Sequence, residues 1–180
     1  MDRSLRFWLE EARLMGLTEA LAPSAAAPVQ EVVAGQAPVI EPGSGLNGLL
    51  AVERWMGDCK RCALCAGRQH LVYGEGDPQA DLMFIGEAPG AEEDRSGRPF
   101  VGKAGQLLTR MIEQGMRRPR GSVFIANIVK CRPPGNRQPA DEEMARCLPF
   151  LLAQIAAVSP KVIVLLGGIA LKGFRPDLPG

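Results

Sequence analysis

The sequence predicts an α/β fold, and three observations predict it. Residues 82–85, 123–128 and 161–166 are apolar runs with the length of fully buried parallel strands. Between them lie segments with apolar residues at helical spacing, beginning at Lys103 and Asp141. The first two runs lead directly into polar loops rich in Gly and Pro. Strand, helix, strand, helix, strand with right-handed crossovers puts both loops at one edge of the sheet. Open α/β sheets bind ligands at that edge.

In chain order, residues 4–21 place Leu5, Leu9, Ala12, Leu14, Leu17 and Leu21 along an amphipathic helix, with Phe7 and Trp8 adding apolar surface for a protein partner. Residues 22–45, rich in Ala, Pro and Gly, read as a flexible linker, and 46–180 as the folded domain. Residues 46–56 have helical spacing and run into CKRCALC; residues 66–80 are turn-rich. After the first strand, GEAPGAEEDRSGRPFVG is too polar for core and reads as one long loop, with Glu87, Glu92, Glu93 and Asp94 as its acids. A helix from Lys103 to about Gly115 and a basic connection lead to the second strand. The second loop, KCRPPGNRQPA, follows at once; the helix from Asp141 to about Val158 carries Cys147, and Gly167 and Gly168 close the third strand.

At 180 residues and 46% apolar content the chain can bury one real core. Its net charge of +1 divides into −3 over residues 1–50 and +4 over the rest, compatible with nucleic acid but no argument for it unaided. No apolar run has the length of a signal peptide or membrane helix, so a cytoplasmic protein is expected, without membrane contact. Five cysteines in that compartment favour metal or cluster binding over disulfides. Cys59 and Cys62 form a CxxC beside Lys60 and Arg61; Cys65 extends it, and Cys131 and Cys147 arrive far downstream. Two close and two remote thiols suit tetrahedral zinc or an iron–sulfur cluster, and spacing alone does not separate these.

Taken together, CKRC, YGEGDPQADLMFIGEAPGAEED, GRPFVGKAGQLL, IANIVKCRPPGNRQP, PFLLAQI and PKVIVLLG, in that order, resemble the family-four, iron–sulfur uracil-DNA glycosylases over roughly residues 55–172. The resemblance implies a three-layer α/β/α sandwich around a short parallel sheet and a [4Fe–4S] cluster held by Cys59, Cys62, Cys131 and Cys147, with Cys65 a bystander. It gives Gly86, Glu87 and Ala88 to the uracil pocket, Phe100 to stacking on the base and Asn127 to reading its edge. Glu87 is expected to orient water or the sugar cation, Glu92 or Glu93 are alternatives between which the sequence does not choose, and Glu87 and Asn127 are the expected catalytic residues. The implied partner is uracil-containing DNA, bound by a monomer. Lys103, Arg110, Arg117, Arg118, Arg120, Lys130, Arg132 and Arg137 are candidates for phosphate contacts.

The family continues past the third strand with a fourth strand and a late histidine-containing loop. This sequence, ending RPDLPG, matches neither, which reads as a domain truncated at its C-terminus with impaired activity. His70, the sole histidine, lies before the first strand and is expected to be a surface or packing residue. Two other readings stand beside a working glycosylase: a non-catalytic iron–sulfur DNA-binding module, and a zinc-stabilised interaction protein.

Overall fold

The structure is a computed structural model that describes residues 37–174. The expected N-terminal helix, most of the expected linker and the closing RPDLPG lie outside the described residues.

Four strands, β1 (Glu75–Gly76), β2 (Leu82–Gly86), β3 (Phe124–Asn127) and β4 (Val162–Leu165), form one sheet in the order β1-β3-β2-β4. β2 is central and pairs in parallel with β3 and β4, so each expected strand is present to within two residues. The sheet is mixed where a purely parallel one was expected, because β1 runs antiparallel to β3. Two residues are too few to show an alternating pattern, so β1 was hidden in the turn-rich segment. Gly76 permits the pairing: a Cβ there would sit 1.8 Å from the Val123 carbonyl oxygen.

Among the described residues the α-helices are α1 (Gly45–Met56), α2 (Ala91–Ser96), α3 (Lys103–Arg110), α4 (Asp141–Val158) and α5 (Gly168–Phe174). Alternation along the strands divides the core in two. Met83, Ile85, Phe124 and Ala126 face Leu49, Val52 and Met56 of α1 and Phe150, Leu151 and Ala157 of α4. Phe84, Val123 and Ile125 face Leu108 of α3 and Ile112 just beyond it. Helices on both faces of the sheet make three layers, the architecture expected.

Two helical segments differ from expectation. The helix from Lys103 is α-helical only to Arg110 and ends in a π turn over Met111–Gly115. The loop after β2 is interrupted by α2, whose first turn holds Glu92, Glu93 and Asp94. Acids there complement the helix dipole, so residues that read as loop polarity start a helix. Helix α4 has the expected limits and also opens on three acids, Asp141, Glu142 and Glu143. No helix among the described residues is long and apolar enough to cross a membrane.

Candidate active site

β2 and β3 run in parallel and in register, so Gly86 and Asn127 stand side by side at their carboxyl ends. The pairing continues outward, with the Ile128 N–H donating to the Gly86 carbonyl at 2.8 Å and the Val129 N–H to that of Glu87 at 3.2 Å. Asn127 is 1% exposed, and its side-chain Oδ1 has no hydrogen-bond partner among the described residues. An unpaired buried amide oxygen costs about 1–3 kcal/mol, so its persistence points to a donor supplied from outside. The Phe100 ring lies beside it. A Cβ on Gly86 would sit 2.4 Å from Phe100 Cζ and 2.6 Å from Asn127 Oδ1, so ring, amide and bare backbone meet at one point.

Phe100 is held there against its own preference. Its φ of 52° is in the left-handed region, an outlier for a bulky residue. Gly105, in the first turns of α3, lies against its backbone: a Cβ at 105 would meet the Phe100 carbonyl atoms at 1.9 Å. Carboxylates brace the loop on either side. Glu93 Oε1 accepts the N–H groups of Val101 and Gly102 at 2.9 and 2.8 Å, and its Oε2 accepts that of Gly90 at 3.1 Å. Arg120 donates to the Pro99 carbonyl and to Glu75, each at 2.8 Å, and Arg98 donates to the same glutamate. Burial alone would raise the Glu75 carboxyl, but hydrogen bonds from Arg98 and Arg120 hold it below the usual range.

These contacts sort the acidic residues. Glu93 spends both oxygens on backbone donors, and Glu92 pairs with exposed Arg95. Asp94, 1% exposed, accepts the Gln69 N–H at 2.8 Å, and the His70 ring meets the Asp94 carbonyl at 2.9 Å. His70 is exposed and ties the segment before β1 to α2. Glu87 is the half-buried acid whose carboxylate has no hydrogen-bond partner among the described residues, and burial raises its pKa. Ala88 beside it packs against the larger core.

The second feature is a small cavity lined by Cys59, Cys62, Cys131 and Cys147 together with Met56, Arg61, Leu71, Lys130, Arg146 and Phe150. Cys65 is not among its lining residues. No three or more His, Cys, Asp or Glu side chains among the described residues converge on a single ion. Four thiols around one space suit either tetrahedral zinc or an iron–sulfur cluster. Three cations surround the sulfurs. Arg68 donates to Cys131 Sγ at 3.3 Å and Arg61 to Cys59 Sγ at 3.6 Å, with the Arg61 guanidinium stacked 4.8 Å over the Phe150 ring. The third, Lys130, lines the cavity from within the core. Burial pushes the Cys147 thiol up to about 12, with Lys130 pulling the other way, so a thiolate there needs a metal to hold it.

Four of the basic residues expected at DNA phosphates have partners within the protein. Lys130 is 1% exposed and donates to the Asn127 carbonyl at 2.9 Å and Gln154 Oε1 at 2.7 Å; burial lowers it to about 8, the nearby Cys147 sulfur opposing. Arg120 is committed to the Phe100 loop. Arg137 makes a two-pronged pair with Glu143 at 2.8 and 2.7 Å, and Arg132 donates to Asn136 Oδ1 at 2.8 Å. Lys103, Arg110 and Arg117 are exposed, with no ion-pair partner among the described residues. Sequence reasoning missed Glu75, Arg68, the bracing role of Glu93 and the burial of Lys130. For Lys130 there was a signal, since it directly continues the apolar run of residues 123–129.

Comparison with known proteins places this arrangement. A family model described as the uracil DNA glycosylase superfamily matches residues 73–177. The chain is 49% identical over 122 residues to the type-4 uracil-DNA glycosylase of Sulfurisphaera tokodaii, covering 68% of this chain and 56% of that protein. It is 53% identical over 117 residues to the type-4 uracil-DNA glycosylase of Thermotoga maritima, covering 64% of this chain and 60% of that one. A type-5 uracil-DNA glycosylase of Thermus thermophilus is 35% identical over 117 residues, covering 57% of this chain and 53% of the relative. The chain thus spans little more than half the length of these relatives. The matched region runs from just before β1 past α5 and contains the paired strand ends, the Phe100 loop and two of the cavity's four cysteines, Cys131 and Cys147, and on that ground the chain belongs to the uracil DNA glycosylase superfamily.

Proposed function

We propose that the chain is a uracil-DNA glycosylase that accepts a uracil extruded from DNA and hydrolyses its N-glycosidic bond, leaving an abasic site. The observation that carries this reading is the unpartnered Asn127 Oδ1, buried beside the Phe100 ring at the carboxyl edge of the sheet. Uracil N3–H is the donor that oxygen lacks, and the Asn127 Nδ2 can donate to O4; cytosine presents the reverse pattern and leaves both amide atoms opposed to like groups. Phe100 offers its face for stacking, and Gly86 and Ala88 leave room for the ring.

In the reaction the C1′–N1 bond breaks with its electron pair leaving on uracil, and a water oxygen bonds to C1′. Glu87 orients that water and takes its proton, a task suited to a carboxylate whose proton affinity is raised by burial. The uracil anion takes up a proton on release. Donors fixed around the developing anion lower the barrier, the Asn127 amide among them. Cys59, Cys62, Cys131 and Cys147, which line one cavity, would hold the [4Fe–4S] cluster that the motif resemblance implies, with zinc as the alternative. When bound, the cluster supplies a cross-link pinning the CxxC segment to the second loop and α4. Lys103, Arg110 and Arg117 are left as the phosphate contacts, predicting DNA binding that weakens steeply with salt.

The test is an end-labelled oligonucleotide with one uracil, incubated with anaerobically purified protein and then treated with alkali. Strand cleavage at the uracil, absent from matched thymine and cytosine oligonucleotides, is expected. Intact strands from folded, cluster-loaded, DNA-binding protein would replace the enzyme reading with a non-catalytic module.

A further inference from the structure

Lys130 is a cation sealed in the core, and no carboxylate within ion-pairing distance answers it among the described residues. A buried ammonium is costly without a compensating charge. What surrounds it falls into two sets. On one side Nζ donates to the backbone carbonyl of Asn127 at 2.9 Å, and to Gln154 Oε1 at 2.7 Å, whose own amide Nε2 donates to the Tyr73 carbonyl at 2.9 Å. On the other side it lines the thiol cavity together with Cys131 and Cys147. Among the described residues, the groups at that cavity that can answer the ammonium with negative charge are the cysteines, as thiolates once a metal centre has taken their protons.

We propose that Lys130 is a positioning residue that links the thiol cavity to the base pocket: its ammonium is the buried counter-charge of the ligated thiolates and, through the Asn127 carbonyl, fixes the residue whose amide reads the base. The inference rests on the pocket and cluster assignments above and adds a coupling between them. Loading the cavity with negative charge holds the ammonium in place, and the held ammonium orients Asn127. Coupling of this kind is reciprocal, so a ligand that fixes Asn127 also stabilises the loaded cavity.

Reciprocity supplies a test in the unmodified protein. The 180-residue chain, purified anaerobically with its cluster, is exposed to air, and bleaching of the visible sulfur-to-iron absorbance is followed with and without free uracil, whose binding is measured separately by calorimetry. Uracil should slow the bleaching. In Lys130→Met, which keeps the length of the side chain without its charge, three changes should appear together while the far-UV spectrum stays native. Bleaching accelerates, uracil affinity falls about 10- to 100-fold as for other groups supporting a ligand sphere, and protection by uracil disappears. Gln154→Met, which removes one anchor of the ammonium and leaves its charge, should shift the same readouts in the same direction by less, and serves if Lys130→Met does not fold.

Uracil that binds the unmodified protein without slowing bleaching overturns the proposal. So does a variant that loses thermal stability while bleaching and uracil affinity stay unchanged, which marks Lys130 as core packing alone. A protein that holds its cluster, yet neither binds nor excises uracil, fails at the pocket assignment instead and takes the coupling with it.

Discussion

Gly86→Ala is the perturbation that probes the pocket most locally. The added methyl would stand 2.4 Å from Phe100 Cζ, 2.7 Å from Phe100 Cε2 and 2.6 Å from Asn127 Oδ1, where ordinary contact begins at 3.4 Å. Both the ring and the amide oxygen must give way, each by about 1 Å. Phe100 has little room, because its backbone sits at φ 52° against Gly105 and is braced by Glu93 and Arg120. Asn127 is fixed by its strand register and by Lys130. Overpacking of this kind costs about 1–3 kcal/mol of stability. A displacement of about 1 Å between reacting groups costs about 10²-fold in rate. Uracil excision should fall by about that factor, while the protein still folds. The assay is single-turnover excision from a one-uracil oligonucleotide, beside a thermal melt. A variant that excises at the unmodified rate would refute the placement of the base between Phe100 and Asn127.

Other expectations follow from the same contacts. Glu93→Ala frees three backbone donors that a charged acceptor now satisfies and should lower stability by about 1.5–3 kcal/mol, read from the urea midpoint, with loss of activity as Phe100 loses its brace. Burial raises the Glu87 carboxyl above its ordinary value of 4.5, and the reaction needs the ionised form, so excision should fall as pH drops through a value above 4.5. Glu87→Gln should be slow and should lose that acid limb. Glu75 has the opposite sign: Arg98 and Arg120 outweigh burial and depress it, so its contribution to stability is present above pH 4.5 and is lost as pH falls through its lower folded value. Glu75→Gln should flatten that part of an acid-unfolding curve. Cys131→Ala should strip iron and acid-labile sulfide from the protein, whereas Cys65→Ala should leave both in place.

Apolar run length placed β2, β3 and β4, and helical spacing placed α4; β2 and β3 are buried as that pattern requires, whereas β4, at the end of the sheet order, is exposed to half-buried. β1 was invisible because two residues carry no period, and α2 because its opening acids look the same in a loop and in a first helical turn. The motif order led to Phe100, Asn127 and the four cysteines, and the structure places the first two beside Gly86 and the cysteines around one cavity. What the motifs could not convey is the support beneath them. Lys130 and Arg120 resemble solvent-facing cations in a string of letters, and only the fold shows that each is spent on a backbone carbonyl, Asn127 in one case and Pro99 in the other. Glu93 likewise counted as one acid among four until its two oxygens were seen to hold three N–H groups.

The central claim is that the buried, unpartnered oxygen of Asn127 selects uracil. Its most direct test compares the unmodified protein with Asn127→Ala in single-turnover excision from a one-uracil duplex, with cluster content and melting temperature matched. Loss of a fixed donor to a developing anion costs about 10²–10³ in rate, so a fall of at least that size is predicted. Excision by Asn127→Ala within a few-fold of the unmodified rate would contradict the account.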